Sequence, residues 1–217
     1  EISEAQKYIF DSGHEVGELA KRYFEGGVEI KEKYYQIDRA IESTNTAVYQ
    51  DKDVIFEATA ASGEGAFSRI DIFKKAGAAN AWDLIEVKSS TDVKDYHIDD
   101  IALQRYAFSG AGYNIRKSIL MHVNKNYVRS GKLDVNKLFS LKDCNEFVEE
   151  KLPEIRPRVK ELIQVFNSEH EPMVDIGNQC SDPFDCDFIP YCWKYIPEFS
   201  VYNVFNGRKL DDLLSAN

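Results

Sequence analysis

Nowhere in these 217 residues do apolar side chains run on for the roughly 18 positions that a membrane-spanning helix needs. The opening EISEAQKYIF lacks both the basic start and the apolar segment of a secretory or transit peptide, so a cytoplasmic location is expected. Cysteine is scarce: four residues are too few for a disulfide framework in a chain of this size. Internal repeats and low-complexity linkers are absent. So is an excess of positive charge. The formal net charge of -10 argues against a protein that simply coats nucleic acid, because phosphate binding draws on Lys and Arg to release counterions.

What remains is a chain rich in core-forming residues. It is 43% hydrophobic, with 13 Phe, 12 Tyr and 2 Trp, enough for one large domain or one domain with a small appendage. Residues 4 to 24 read as a helix, with Ile9, Phe10, Val16, Leu19, Ala20 and Phe24 on an interrupted apolar stripe. A second helix is expected around 31 to 44. VIFEATA (54 to 60), AFSRIDIFKK (66 to 75) and AWDLIEVKSS (81 to 90) alternate as a strand meander joined by turns. A helix from about Ile98 to Phe108 follows, stopped by Gly110 and Gly112, then a strand over 117 to 124. The stretch from 145 to 168 is helix-like but interrupted at Pro153 and Pro157. This order predicts an α/β fold: a mixed central sheet flanked by helices, the last strand inserted beside the meander through the helical crossover.

Chemistry concentrates in the meander. Alternate strand residues share a face, so Leu84, Glu86 and Lys88 point one way and Ile85 and Val87 the other. On the preceding strand Arg69, Asp71 and Phe73 share a face, and the turn brings Asp71 opposite Glu86. Two carboxylates that close repel unless a cation joins them, and hard oxygen donors suit Mg²⁺ or Mn²⁺, with the backbone carbonyl of Val87 as a third oxygen. A lysine beside them can orient or deprotonate a water, or stabilise charge on a phosphoryl group. A lone Glu-x-Lys on a strand is more often an exposed ion pair; here the partnered Asp71 and the downstream helix set it apart. From 114 to 132 the chain carries Arg116, Lys117, Lys125, Tyr127 and Arg129 with no acidic residue, a candidate surface for tracking phosphates.

RIDIF, LIEVKSS and DDIALQRYAF together resemble the PD-(D/E)xK nuclease superfamily. The resemblance is to its RecB-like branch, which includes the iron-sulfur exonucleases of CRISPR adaptation, and it spans roughly residues 10 to 195. It also extends to a bacterial group in which such a domain carries the motifs matched here by Glu86 to Thr91, Val93 to Asp95, Asp100 to Tyr106 and Asn124 to Gly131, often followed by an RNase H-like domain.

The resemblance implies a restriction-endonuclease-like core and Mg²⁺- or Mn²⁺-dependent hydrolysis of DNA, single-stranded or with free ends, by an exonuclease or end-processing enzyme. Asp71, Glu86 and the Val87 carbonyl would be metal ligands, Lys88 the catalytic lysine, and Gln104 and Tyr106 the helical pair that contacts DNA and steadies the lysine. Residues two apart do not share a helix face, which weakens Tyr106 relative to Gln104. Gly17 stands where such enzymes carry a metal-binding His, and His14 or Glu18, four apart on one helix face, are the substitutes. A degenerate module that only binds nucleic acid, and an RNA-processing nuclease, are the alternatives.

CSDPFDCDFIPYCW spaces Cys180, Cys186 and Cys192 at six-residue intervals. Thiolates bind iron-sulfur clusters or zinc, and both ordinarily take four ligands. The resemblance implies a [4Fe-4S] cluster whose fourth cysteine lies outside this chain; zinc, completion by Cys144 or His170, and reduced structural thiols are the other readings. The expected organisation is a nuclease core over 1 to 176 and a cysteine-bearing C-terminal tail over 177 to 217 that leads toward a further domain.

Overall fold

The computed structural model describes residues 4–77 and 80–200, and the chain divides after Asn167 into two units. In the first unit, helix α1 (Glu4–Lys21) and the short strand β1 (Val28–Glu29) precede helix α2 (Ile37–Tyr49). The meander β2 (Val54–Ala61), β3 (Phe67–Lys75) and β4 (Ala81–Lys88) is antiparallel throughout. Helix α3 (Asp95–Gly110) then crosses over to β5 (Asn114–Val123), which lies parallel to β4. A single turn, α4 (Val135–Leu138), leads to β6 (Phe139–Asp143), antiparallel to β5, and α5 (Asn145–Phe166) closes the unit. The sheet has six strands in chain order, with β1 parallel to β2 on its far edge.

Alternation along β4 divides the core between the two faces. Trp82 and Leu84 pack with Phe73, Phe108 and Ala40, on the face covered by α2 and α3. Ile85 packs with Ile72, Met121 and Ala20, on the face that α1 covers through Val16 and Leu19. The alternation slips on two adjacent strands at one level. Ile55 and Ala58 both enter the first cluster although three apart, as do Ile70 and Phe73. Between those pairs lie Glu57 and Asp71, where the β2–β3 ladder is interrupted: pairing runs Phe56 with Ile72, then resumes at Ala58 with Ile70. Glu57 has φ of 58°, left-handed backbone that a non-glycine residue holds at a cost of about 1–3 kcal/mol.

Several elements differ from their expected bounds. The second helix begins at Ile37 rather than near 31, because Lys33 to Gln36 form a hydrogen-bonded turn. Strand β6 and the two-residue β1 are too short to show a period of two. Helix α5 continues through Pro153 and Pro157. Its stripe of Val148, Leu152, Ile155 and Val159 is spaced at three and four residues, and its first three members pack on Ile98, Ile101 and Leu120, which outweighs the two lost backbone donors.

Helix α3 ends hard against the β2–β3 turn. A Cβ on Gly110 would lie 2.5 Å from the Cβ of Ser62 and 3.2 Å from its Cα, so no side chain fits there. Gly110→Ala is expected to destabilise the chain by about 1–3 kcal/mol, read from the midpoint of urea unfolding. An unchanged midpoint would mean that the turn yields freely.

The second unit contains a 3-10 turn at Asn178–Cys180, helix α6 (Ile189–Cys192) and a further 3-10 turn at Trp193–Tyr195. No helix among the described residues is long and apolar enough to cross a membrane.

Candidate active site

The register between β3 and β4 pairs Ile72 with Ile85, and its next step sets Asp71 opposite Glu86. Asp71 Oδ2 accepts the backbone N–H of Val87 at 2.7 Å, which ties the carboxylate to the adjacent strand. Glu86, on the face of β4 that α3 covers, is only 8% exposed. Lys88 Nζ donates to Glu86 Oε1 at 2.9 Å and to Asp100 Oδ2 at 2.5 Å. From α3, Gln104 Nε2 donates to Glu86 Oε2 at 2.9 Å. Three carboxylates, one ammonium and one amide thus converge where β3 and β4 part company.

Burial sets the electrostatics. It pushes the Glu86 carboxyl well above the usual carboxylate range, and the neighbouring Asp71 charge adds to the rise. Asp71 is raised as well, again chiefly by burial, against the pull of the Val87 N–H and Lys88. For Lys88 burial disfavours the charge, but Glu86 and Asp100 outweigh it and hold the ammonium above its ordinary pKa. A lysine held this way is a hydrogen-bond donor and charge stabiliser, and it does not act as a base near neutral pH. The site therefore holds two carboxyl groups whose charged forms burial disfavours, beside a single ammonium.

The expected residues fall into two groups. Asp71, Glu86, Val87, Lys88 and Gln104 meet in one place. Tyr106 does not join them: its hydroxyl donates to Glu64 in the β2–β3 turn, and Arg156 of α5 holds the same carboxylate through Nε at 2.9 Å and Nη2 at 2.5 Å. The helix itself is the reason, since a residue two positions after Gln104 faces about 160° away from it. Tyr106→Phe is accordingly expected to lower stability by about 1 kcal/mol in denaturant unfolding. An unchanged midpoint would mean that the contact with Glu64 contributes nothing to the fold.

His14 and Glu18 are both exposed. Glu18 accepts from Lys21 at 2.7 Å, and α1 packs on the sheet face opposite Gln104. Arg116 and Lys117 lie near the start of β5, level with Asp83, five residues and about 16 Å from Lys88. Arg116 forms a two-point pair with Asp83 (2.8 and 2.5 Å), and Lys117 pairs with Asp143 (2.7 Å). They serve the sheet's far end. Lys125, Tyr127 and Arg129 instead follow the end of β5, beside the end of β4 that carries Lys88; Val123 N–H reaches Ser90 O at 3.0 Å there.

Two neighbours of the site were not anticipated. Asp100 is four residues before Gln104, on the same face of α3, so the rule that sets Tyr106 aside also selects Asp100. Glu57, level with Asp71 on β2, has its pKa raised by burial and then by Asp71. Nothing in the sequence announces its left-handed backbone.

In the second unit Cys180, Cys186 and Cys192 are free thiols lining one mainly apolar cavity of about 660 Å³ with Val174, Ile176 and Phe188. The donors suit a soft ion in kind but number three. Cys144 belongs to the core of the first unit, fully buried and packed with Ile98, Ile101 and Leu120. As the side chains stand, no group of three His, Cys, Asp or Glu among the described residues is arranged as a metal's ligand set. No protein-family model matches the chain, and no curated protein matches it.

Proposed function

We propose that this chain is a metal-dependent nuclease that hydrolyses phosphodiester bonds of DNA, a RecB-like member of the PD-(D/E)xK superfamily with a restriction-endonuclease-like core, acting at ends. The observation that carries this reading is the pair formed by half-buried Asp71 and buried Glu86 on adjacent strands, with Lys88 beside them. Two carboxylates whose pKa is raised by burial are a cost to the folded state at neutral pH, which a bound cation would offset.

Their oxygens fit a hard divalent cation, and Asp71, Glu86 and the Val87 carbonyl would hold Mg²⁺ or Mn²⁺. When bound, such an ion supplies Lewis acidity, acidifying a water and screening phosphoryl charge. The protein's own groups do the rest. Val87 N–H fixes Asp71, and Gln104 fixes Glu86, so neither carboxylate must reorganise when substrate arrives. Lys88, kept cationic, donates to a non-bridging phosphate oxygen or to the attacking water and opposes charge as it develops. Asp100 holds the ammonium in reserve in the absence of substrate. The Gln104 Oε1 is buried without a hydrogen-bond partner, an acceptor left for a water or for substrate. In the second unit the three thiols would supply three of the four ligands of a [4Fe-4S] cluster that stabilises the fold rather than carrying electrons.

The test is incubation of the full chain with end-labelled single- and double-stranded DNA, and with RNA of the same sequence, in Mg²⁺, Mn²⁺ or EDTA. Metal-dependent shortening of DNA is the expected result. Cleavage of RNA alone would move the substrate, and binding without product in any metal would favour a non-catalytic module.

A further inference from the structure

At the tip of the loop between β1 and α2, Tyr34 is 84% exposed and Tyr35 63%. Their rings meet edge to face, centroids 5.3 Å apart at 88°. Two hydrogen bonds close the turn that presents them: Lys33 N–H donates to Gln36 Oε1 at 3.0 Å, and Gln36 N–H returns to Lys33 O at 2.8 Å. Just before the turn, Glu32 O accepts from Arg69 Nη2 at 3.0 Å, and Arg69 Nε reaches Thr59 Oγ1 at 3.2 Å. Arg69 lies two residues from Asp71 on β3, so the tyrosine turn is bolted to the strand that carries the candidate site. Lys31 and Lys33 come just before the rings, both exposed and without an ion-pair partner among the described residues.

Topology places the turn and the site on one edge of the sheet. Strands β1, β2, β4 and β5 all run in one direction, so the chain leaves β1 at the same end of the sheet as it leaves β4 and β5, with β2 and β3 between them. Two strand spacings and a few residues, on the order of 15 Å, separate the turn from Asp71. A single strand of nucleic acid covers that in a few nucleotides.

We propose that Tyr34 and Tyr35 form a stacking platform for unpaired bases, with Lys31 and Lys33 on the adjoining phosphates, and that the strand so held runs on to the carboxylate site. The partner is therefore single-stranded nucleic acid. This rests on the nuclease reading and narrows its substrate. Rings held open in advance lose little freedom on binding, and every base offers a face, so recognition is independent of sequence. A duplex, whose bases are already stacked on one another, gains nothing from the rings.

The experiment compares the unaltered chain with Tyr34→Ala/Tyr35→Ala and Tyr34→Phe/Tyr35→Phe in EDTA. The probes are a labelled oligothymidine of about 15 nucleotides, the same backbone with abasic sites, and a blunt duplex. Expected for the oligothymidine is a loss of at least about tenfold in affinity for the Ala variant and near-normal affinity for the Phe variant. The abasic probe should bind the unaltered chain as weakly as the oligothymidine binds the Ala variant, and duplex binding should not respond to either change. Both positions are exposed, so unchanged melting temperatures are expected and keep the comparison interpretable.

Equal oligothymidine affinity in all three proteins overturns the platform, whether or not the chain cleaves DNA. Discrimination against the abasic probe that persists in the Ala variant overturns it too. Tyrosine-dependent binding with no cleavage by the unaltered chain would leave the platform standing and remove the nuclease reading alone. Rings that leave every oligonucleotide unaffected but govern liposome binding or self-association would assign the surface to another partner.

Discussion

Lys88→Ala, assayed on end-labelled DNA with Mg²⁺, is expected to form product about two to three orders of magnitude more slowly than the unaltered chain, the scale associated with losing one charge-stabilising donor. The effect follows from the ammonium's two contacts, to Glu86 and Asp100, and from its being held charged. Because Lys88 is the main counter-charge to a buried carboxylate, its removal also destabilises the chain in EDTA, by about 3–5 kcal/mol if the pair behaves as other broken buried pairs do. The two consequences separate experimentally. Mn²⁺ should restore the melting temperature of the Ala variant while leaving its turnover low. Retained cleavage in Lys88→Ala would remove the lysine from the chemistry, whatever happened to stability.

Asp71→Asn has an expected effect of the opposite sign on the fold. At neutral pH in EDTA it should melt higher than the unaltered chain, each kilocalorie per mole being worth about 2–4 °C in a chain of this size. Asn keeps an oxygen to accept the Val87 N–H and discards a charge that burial disfavours. Asp71 and Glu86 both have folded pKa values raised above the unfolded ones. Such groups favour folding below the unfolded pKa, about 4, and that contribution is lost as pH rises through the folded pKa. Lys88, also raised, contributes stability that persists until alkaline pH and so adds no slope near neutrality. In EDTA the unaltered chain should therefore lose stability from about pH 4 upward through the folded carboxyl pKa values, and Asp71→Asn should lose less. Excess Mn²⁺ should stabilise the unaltered chain by mass action, about 1.4 kcal/mol per tenfold in concentration above Kd, and the variant hardly at all. A variant that melts lower than the unaltered chain, or an unaltered chain indifferent to Mn²⁺, would contradict this account.

The meander and crossover are legible because β2, β3, β4 and α3 carry long patterns, and the two turns of the meander contain Gly63, Gly65 and Gly77. The site's core was legible for the same reason: with two strands in register, the position of Asp71 relative to Glu86 follows from counting. Counting fails where the backbone departs from its period. The slip at Glu57 and Asp71 depends on a left-handed residue that no side chain announces. Helix geometry already sets Tyr106 behind Gln104, and the same geometry favours Asp100, four residues before Gln104. Arg116 and Lys117 looked like part of a phosphate surface because linear clustering of charge does not reveal that Asp83 and Asp143 neutralise them across the sheet. The tyrosine turn reads as the start of a helix, since its order rests on the side chain of Gln36 and on Arg69, thirty-seven residues after the Glu32 carbonyl that it holds.

The contiguity of the carboxylate site bears on how the molecule folds. Every group from Asp71 to Gln104 comes from one hairpin and the first crossover, so the site assembles from contacts that are close along the chain, with little loop entropy to overcome. The edge strands β1 and β6 add from outside this nucleus, and β1 contributes only two residues of pairing. Hydrogen exchange should find amides of β3 and β4 among the slowest in the chain and those of β1 among the fastest of the sheet. The turn bearing Tyr34 and Tyr35 would then be the last part of the binding edge to settle, with Arg69 already in position to receive it.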